Sequence, residues 1–385
     1  MRITSSAQER RLRPALLAHP TVAKLTRTTL ALAVAFVASS CAAASGVGAP
    51  VQAQEATPYL YVASQDDVTV AVIDMSTNEL VTTVDLKELG YSPTAKAHHT
   101  AVEPDGSFWY VSLIADGRVL KFDRQNNLVA EASFETPGML SLDPTSDLLY
   151  VGRSMAAVNP PQRVGMIDRT SMSLEEVDVF FPRPHALTID PNSGRFFSAS
   201  LGQNSVAYGA IGEEEVDLLP IDGMMNHMLV QFAVSPDGNR MVAGGQMTGD
   251  LLVFDLTSDD PSVIESMDVG GQPWHPVFTR DGREVWIPNQ AANTVTVIDV
   301  ATWTIAEVIE HPALVEPHGS AVSPDGETVY VSSRNVAGTY TSTTGADRPG
   351  TVVAIDRASR EVVAVIEVGR YAAGMSAQSI TAGGR

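Results

Sequence analysis

Histidine is scarce in this chain, eight in 385 residues, yet six of the eight recur at the approach to a tight turn. In "AHHTAVEPDG", His98 and His99 stand six and five residues ahead of Pro104; His185 stands six ahead of Pro191, and His318 six ahead of Pro324. In "PWHPVFTRDG", Arg280 replaces the proline, and Trp274 and His275 take the same two places. His227 enters more loosely, nine residues before Pro236, and His311 follows no such rule. One such histidine alone reads as a hydrogen-bond partner for a neighbouring carbonyl. Six at a shared place read as a convergent set of metal ligands, because clustered imidazoles repel when protonated and gain most by sharing a cation. An all-imidazole set suits copper, zinc, iron or nickel. Six ligands exceed the three or four of an ordinary zinc site, which points to several ions or to one ion with open positions. Met224, Met225 and Met228 in "GMMNHM", and Met139 in the histidine place of the third repeat, tilt the choice toward a soft metal, although methionine is also ordinary core filler.

What must position these residues is a repeat. "AVEPDGSFWYVSLIADGRVLKFDRQ", "AVSPDGNRMVAGGQMTGDLLVFDLT" and "AVSPDGETVYVSS", the last rejoining at "GTVVAIDRAS", align with one another. "VFTRDGREVWIPNQAANTVTVIDVAT" fits with Arg280 in place of proline, and the segments from "SLDPTSDLLYVGRS" and "TIDPNSGRFFSAS" are looser copies. Each carries an apolar run, a turn, an alternating strand, another ending in aspartate, and a more variable fourth. Four-stranded units of roughly 40 to 45 residues are propeller blades. Full units begin near residues 97, 137, 184, 226, 273 and 317. The opening "YLYVASQDDVTVAVIDMSTNELVTTVDL" lacks a first strand, and the closing "VGRYAAGMSAQSI" is a first strand with nothing after it. Pairing them completes a seventh blade and leaves no open sheet edge. The expectation is an all-β, seven-bladed β-propeller of four-stranded antiparallel blades, one domain over residues 54–385. A blade's first strand is innermost, so the six imidazoles enter from five blades at one mouth of the central channel.

The repeats also resemble a known family. "SPDGETVYVSS" and "DRASREVVAVIEVG" are similar to the YVTN-type bacterial propeller repeats, over about residues 59–380. That resemblance implies the fold and leaves function open, since the scaffold hosts lactonases, haem binders, copper enzymes and plain binding proteins. The histidine arrangement, with its adjacent pair, is similar to the propeller domain of nitrous oxide reductases, where such residues hold a copper–sulfide cluster. By position type the resemblance extends to His98, His99, His185, His227, His275 and His318. Those enzymes add a cupredoxin domain whose copper site needs cysteines. Here Cys41 is the only cysteine, so a complete enzyme of that kind is excluded, and redox turnover would need an external electron carrier. Three readings stand: a copper-holding propeller with a redox or carrier role, a metal-free ligand- or protein-binding scaffold, and a d-type haem binder with one histidine as axial ligand.

Two connections are long, "GRSMAAVNPPQRVG" (152–165) and "RNVAGTYTSTTGADRPG" (334–350), and read as lids or recognition loops on the histidine face. They carry Arg153, Arg163, Arg334, Tyr340 and Arg348, either an anion-binding set or solvated cations. Trp274 would stack on a ligand or wall the channel. No GxSxG elbow, phosphate-cradling glycine loop, HExxH or calcium-loop spacing occurs.

Residues 1–53 read as an export leader. Arg2, Arg10, Arg11, Arg13, Lys24 and Arg27 are opposed only by Glu9, and the apolar run "TTLALAVAFVA" is too short to span a bilayer. Cleavage before Gln54 in "VQAQEA" competes with lipidation of Cys41 in "VASSC", which would leave a tether to about Pro58. Both take the protein to the periplasm or cell envelope, with a membrane link only through that lipid. A formal charge of −20, and about −25 after residue 53, argues against nucleic acid and suits a basic electron-transfer or metal-delivery partner. With one cysteine there is no disulfide, iron–sulfur cluster or cysteine zinc site.

Overall fold

Short alternating segments bounded by Pro-Asp-Gly turns form the expected strands in a computed structural model, which describes residues 57–378. Cleavage before Gln54 and lipidation at Cys41 fall outside the described residues. Among the described residues there is no helix, and the strands make seven four-stranded sheets. Every pairing is antiparallel, in the order first, second, third, fourth from inside to outside. Glycine takes the left-handed corner of the turn between first and second strands, at Gly106 (φ 70°) and Gly238 (φ 71°), where any side chain is strained.

Blade 1 is completed from both ends of the described chain. Its innermost strand is Ala372–Ala377, which pairs with Tyr59–Ser64; Thr69–Asp74 and Glu79–Asp85 follow outward. The innermost strands of blades 2 to 5 are Ala97–Val102, Pro137–Leu142, Pro184–Asp190 and Leu229–Val234, and that of blade 7 is Pro317–Val322. In blade 6 it shrinks to Val277–Phe278, preceded by an isolated bridge from Pro273 to Asn289. Pro273 and Pro276 supply no N–H, so the ladder cannot run through "PWHP".

Period-two alternation sends successive side chains to opposite faces of each blade, and each face packs against a neighbour. Leu60 and Val62 pack with Tyr330 and Val352 of blade 7, whereas Tyr61 and Ala63 pack with Trp109 and Val111 of blade 2. The core is therefore a set of apolar seams between blades, and the seam between blades 1 and 7 closes it into a ring. Trp109 is stacked between Tyr61 (centroids 4.9 Å apart) and Phe122 (4.2 Å). The fourth strands are largely exposed, as at Glu79–Asp85.

Candidate functional site

Each first strand is entered through a residue in the left-handed region: Tyr371 (φ 60°), Lys96 (60°), Thr136 (47°), Arg183 (55°), Met228 (54°), Gln272 (59°) and Glu316 (53°). The carbonyl of each accepts the N–H of the residue just past the same blade's second strand, as from Gln65 to Tyr371 (3.0 Å) and from Ser154 to Thr136 (2.8 Å). None is glycine, so this bond and the packed blades, rather than residue type, impose the conformation. The ladder then breaks, with register shifts between Ala97 and Thr100, Pro137 and Leu140, Leu229 and Phe232, and Pro317 and Ser320. A bulge frees two residues and re-aims them. Those two are the axial positions of a blade: His98 and His99 in blade 2 and Gly138 and Met139 in blade 3, while in blade 4 the places fall to His185, which is freed, and Ala186, which stays paired with Ala199. In blade 5 they are Val230 and Gln231, in blade 6 Trp274 and His275, in blade 7 His318 and Gly319, and in blade 1 Ala373 and Gly374.

Five imidazoles meet at the axis, from four blades. Ring centroids are 6.4 Å apart for His98 and His185, 5.9 Å for His98 and His318, 4.5 Å for His275 and His318, and 5.9 Å for His99 and His275. None is more than 7% exposed. Small residues at the other axial positions make the room. A Cβ on Gly374 would fall on the His99 ring, so glycine is needed where that imidazole crosses blade 1.

Burial lowers every one of these pKa values, and neighbouring imidazoles add to the effect for His98, His99, His275 and His318. His99 is pushed down to about 3 and His185 to about 4, while His98, His275 and His318 lie well below the ordinary value of 6.5. The cluster is neutral at pH 7, with every ring carrying one N–H and one lone pair. The Nδ1–H of His185 donates to the Arg153 carbonyl (2.7 Å), which turns its Nε2 lone pair away from that bond. His98 Nδ1 lies 2.8 Å from the Gln65 side-chain amide, and the Leu140 N–H donates to His99 Nδ1 at 3.4 Å. His98 Nε2 and His318 Nδ1 are buried with no partner. Among the described residues no three His, Cys, Asp or Glu side chains are grouped as ligands of one ion would be.

His227 stands apart from the cluster. Its Nε2 bonds the Asp222 carbonyl (3.1 Å), its Nδ1 lies 3.0 Å from Thr248 Oγ1, and Asp250 is 3.7 Å away. The residue six before Pro236 is Val230, and its neighbour Gln231 takes the second axial place, accepting the Leu187 N–H at 3.2 Å. Met139 is core filler in the seam between blades 3 and 4. Trp274 walls the mouth: it stacks on His275 (6.4 Å), sits 5.3 Å from His318, and backs onto Leu201, Val230, Met155 and Met228.

Arg153 and Arg334 are committed to structure, while Arg163 and Arg348 are half-exposed beside Asp178 (2.6 Å) and Asp347 (3.9 Å). Arg153 donates to the carbonyls of Glu135 (2.7 Å) and Arg163 (3.3 Å), pairs with Glu176 and lies over the Phe134 ring; only its carbonyl reaches the cluster. Arg334 donates to Tyr371 Oη (2.9 Å), stacks over that ring and adds to the lowering of the His318 pKa. Tyr340 turns away to Glu367 (3.1 Å). The loops of this face carry exposed apolar side chains, Val158, Phe180, Met224, Met225 and Met247. Sequence reasoning missed Gln65 and Gln231; aligning second-strand ends and counting strictly back from Pro236 would have found both.

The fold and its axial cluster define a class, a seven-bladed β-propeller with imidazoles gathered at one mouth. No family model and no curated protein matches the chain. Solved structures do. A functionally unknown protein from Desulfotomaculum acetoxidans aligns over 83% of this chain and 99% of its own, at 15% identity and a TM-score of 0.66. A dihydro-haem d1 dehydrogenase, NirN, covers 82% and 74% at 16% identity with a TM-score of 0.53. The hydrazine synthase of Kuenenia stuttgartiensis covers 71% and 87% at 19% identity with a TM-score of 0.56. At these identities the likeness is one of fold.

Proposed function

We propose that this chain is an exported propeller that binds a transition metal, copper by preference, at the axial cluster, in a redox or carrier role. One observation carries the reading: five buried imidazoles are neutral at pH 7 and in contact, with no carboxylate contributing to their pKa shifts. Such a donor set is uncharged and borderline in softness, which suits copper or zinc and disfavours magnesium or calcium. His185 has the arrangement usual for a ligating histidine, one nitrogen on a backbone carbonyl and the other free. The orphaned nitrogens of His98 and His318 are the other donors that a cation would satisfy. His99 and His275 complete the set. In the present packing the rings lie against one another, so loading must rotate some of them.

The basic leader and apolar run support export, and the YVTN-type repeats fit an envelope protein. The acidic charge would draw a basic carrier from a distance, and the apolar loops of the histidine face would make the close contact. The NirN fold neighbour favours a second reading, a d-type haem with one of these histidines as axial ligand.

Metal analysis of the purified mature protein, before and after copper loading under reducing and oxidising conditions, tests both. Retained copper at one equivalent or more, lost in His98→Ala/His275→Ala, supports the first; a Soret band supports the second. His227→Ala should retain copper like the parent protein, since both its nitrogens are engaged elsewhere. Neither metal nor haem would leave a metal-free binding scaffold.

A further inference from the structure

A second set of side chains lies directly outside the axial rings and was not singled out by any motif. The second strands end at equivalent places, each paired with the residue that precedes the axial pair: Ser64 with Ala372, Gly245 with Leu229, Asn289 with Pro273, Ser333 with Pro317. One residue further on stands Gln65 in blade 1, Gln246 in blade 5 and Gln290 in blade 6. This residue reaches the first axial residue of the next blade where Gln65 meets His98 and Leu201 meets Val230, and the strand two residues before it runs along the same backbone. A Cβ on Gly244 would touch the carbonyls of Pro273 and Trp274, Ser112 Oγ donates to the Gly138 carbonyl (2.7 Å), and Ser332 Oγ donates to the Ala373 carbonyl (2.6 Å).

The residue types on the two sides of this contact match in five of the seven blades, Ser154 before His185 and Arg334 before Ala373 being the two that depart. Glutamine occurs where the next blade offers a ring nitrogen: Gln65 before His98, Gln246 before Trp274, Gln290 before His318. Apolar Ile114 and Leu201 occur where it offers Gly138 and Val230, and Leu201 packs directly on Val230. Before His185 stands Ser154, and there the preceding carbonyl of Arg153 bonds the ring instead. The first pair is joined, Gln65 to His98 Nδ1 at 2.8 Å with both residues buried. In the second, Gln246 Oε1 and Trp274 Nε1 are both buried and both unpartnered, an acceptor and a donor of matching kind. In blade 7 Arg334 takes the amide: turned to its satisfied orientation, Gln290 accepts from Arg334 Nη1 (3.0 Å) and donates to Gln272 (3.2 Å), which leaves His318 Nδ1 alone.

From this matched pattern we infer that Gln65 and Gln246 are positioning residues for the axial cluster, each bonding the ring nitrogen offered by the following blade. Gln65 thereby selects which nitrogen of His98 carries the proton. A carboxamide presents its N–H or, turned over, its oxygen at that point, so each amide orientation holds one tautomer and a turn of the amide switches it, which a carbonyl or an ammonium cannot do. Gln246 holds the indole that walls the mouth. This inference stands without the metal reading.

The experiment is two-dimensional ¹H–¹⁵N spectroscopy of metal-free protein carrying ¹⁵N in its histidine rings and indoles, with His98 signals assigned by their loss in His98→Gln. In Gln65→Leu the His98 signals should move to those of a tautomer mixture while those of His185 stay in place. In Gln65→Glu, where only an acceptor remains, a single Nδ1–H form should appear, the opposite of the form that the Gln65 amide N–H holds. In Gln246→Leu the Trp274 indole proton should shift upfield and exchange faster, with Trp109 and Trp286 unaffected. Should Gln65→Leu fail to fold, Gln65→Glu carries the same comparison against the parent. Unchanged His98 tautomers in the Gln65 variants together with an unmoved Trp274 signal would overturn the inference. A copper titration of the same variants separates the two readings: a tautomer change with affinity lowered about 10- to 100-fold supports both, whereas a tautomer change in protein that binds no copper sinks only the metal reading.

Discussion

The five axial histidines are held in a form that water would not favour at mildly acidic pH. In the unfolded chain each takes up a proton near 6.5, but in the fold His99 and His185 resist until about 3 and 4, and the other three also titrate well below the ordinary value. Over the window from about 6.5 down to about 4 the unfolded state therefore holds more protons, so stability is complete above that window and is lost as pH falls through it. Each such group removes about 1.4 kcal/mol per pH unit once its unfolded form is protonated. Denaturant melts at pH 7.5, 6.5 and 5.5 should show a steep fall in stability below 6.5, and His99→Gln should flatten it by about one proton. A flat profile across that range would contradict the burial of these rings. At this scale the sequence was readable because the histidines keep a fixed distance to a turn. His227 shows the limit: nine residues before its proline rather than six, it falls outside the bulge and into a loop whose own groups satisfy it.

The element that does the aiming is less legible. The propeller's strands follow from alternation and turns, and blade beginnings near 97, 137, 184 and 317 coincide with observed first strands. The left-handed residue before each first strand is Lys, Thr, Arg, Met, Gln, Glu or Tyr, so no residue preference announces it; tertiary packing imposes it. Thr136 is the least suited of these, β-branched at φ 47° with a buried hydroxyl that lacks a partner. Thr136→Gly should relieve strain of about 1–3 kcal/mol while costing about 0.5–1 in backbone entropy. A gain of about 1 kcal/mol, or about 1–2 °C in Tm, is expected, and a loss would mean that the threonine is not strained. The long loop after Ser333 has its own anchor. Glu367 accepts from Tyr340 Oη (3.1 Å), Ser342 Oγ (2.8 Å), the Thr343 N–H (2.5 Å) and Thr344 Oγ1, and against the opposing effect of burial the bonds from Thr344, Thr343 and Ser342 hold its carboxyl down to about 2. The expected lid is thus clamped to the fourth strand of blade 7. Hydrogen exchange should show the amides of residues 340–346 opening faster in Glu367→Gln, with about 1–3 kcal/mol lost; unchanged protection would release the loop from this account.

At the scale of the whole molecule, ring closure and the axial cluster are one construction. Ala372–Ala377 pairs with Tyr59–Ser64, its Ala373 carbonyl accepts from Ser332 Oγ in blade 7 (2.6 Å), and Gly374 leaves the space that the His99 ring occupies. The strand therefore joins blade 1 to blade 7 and shapes the floor on which blade 2 lays its imidazole. Ending the chain at Tyr371 removes that strand and exposes the unpaired edge of Tyr59–Ser64, an invitation to pairing between molecules. It also uncovers the seam in which Ala372 and Met375 pack with Leu60, Val62 and Tyr330. The loss should approach the whole net stability of a domain, on the order of 5 kcal/mol or more. Thermal melts of the truncated chain should be broad and early, and size-exclusion chromatography should show association. A monomeric truncated chain melting within a few degrees of the parent would mean that the seams between the remaining blades hold the ring unaided, and that the closing strand serves only to make room for His99.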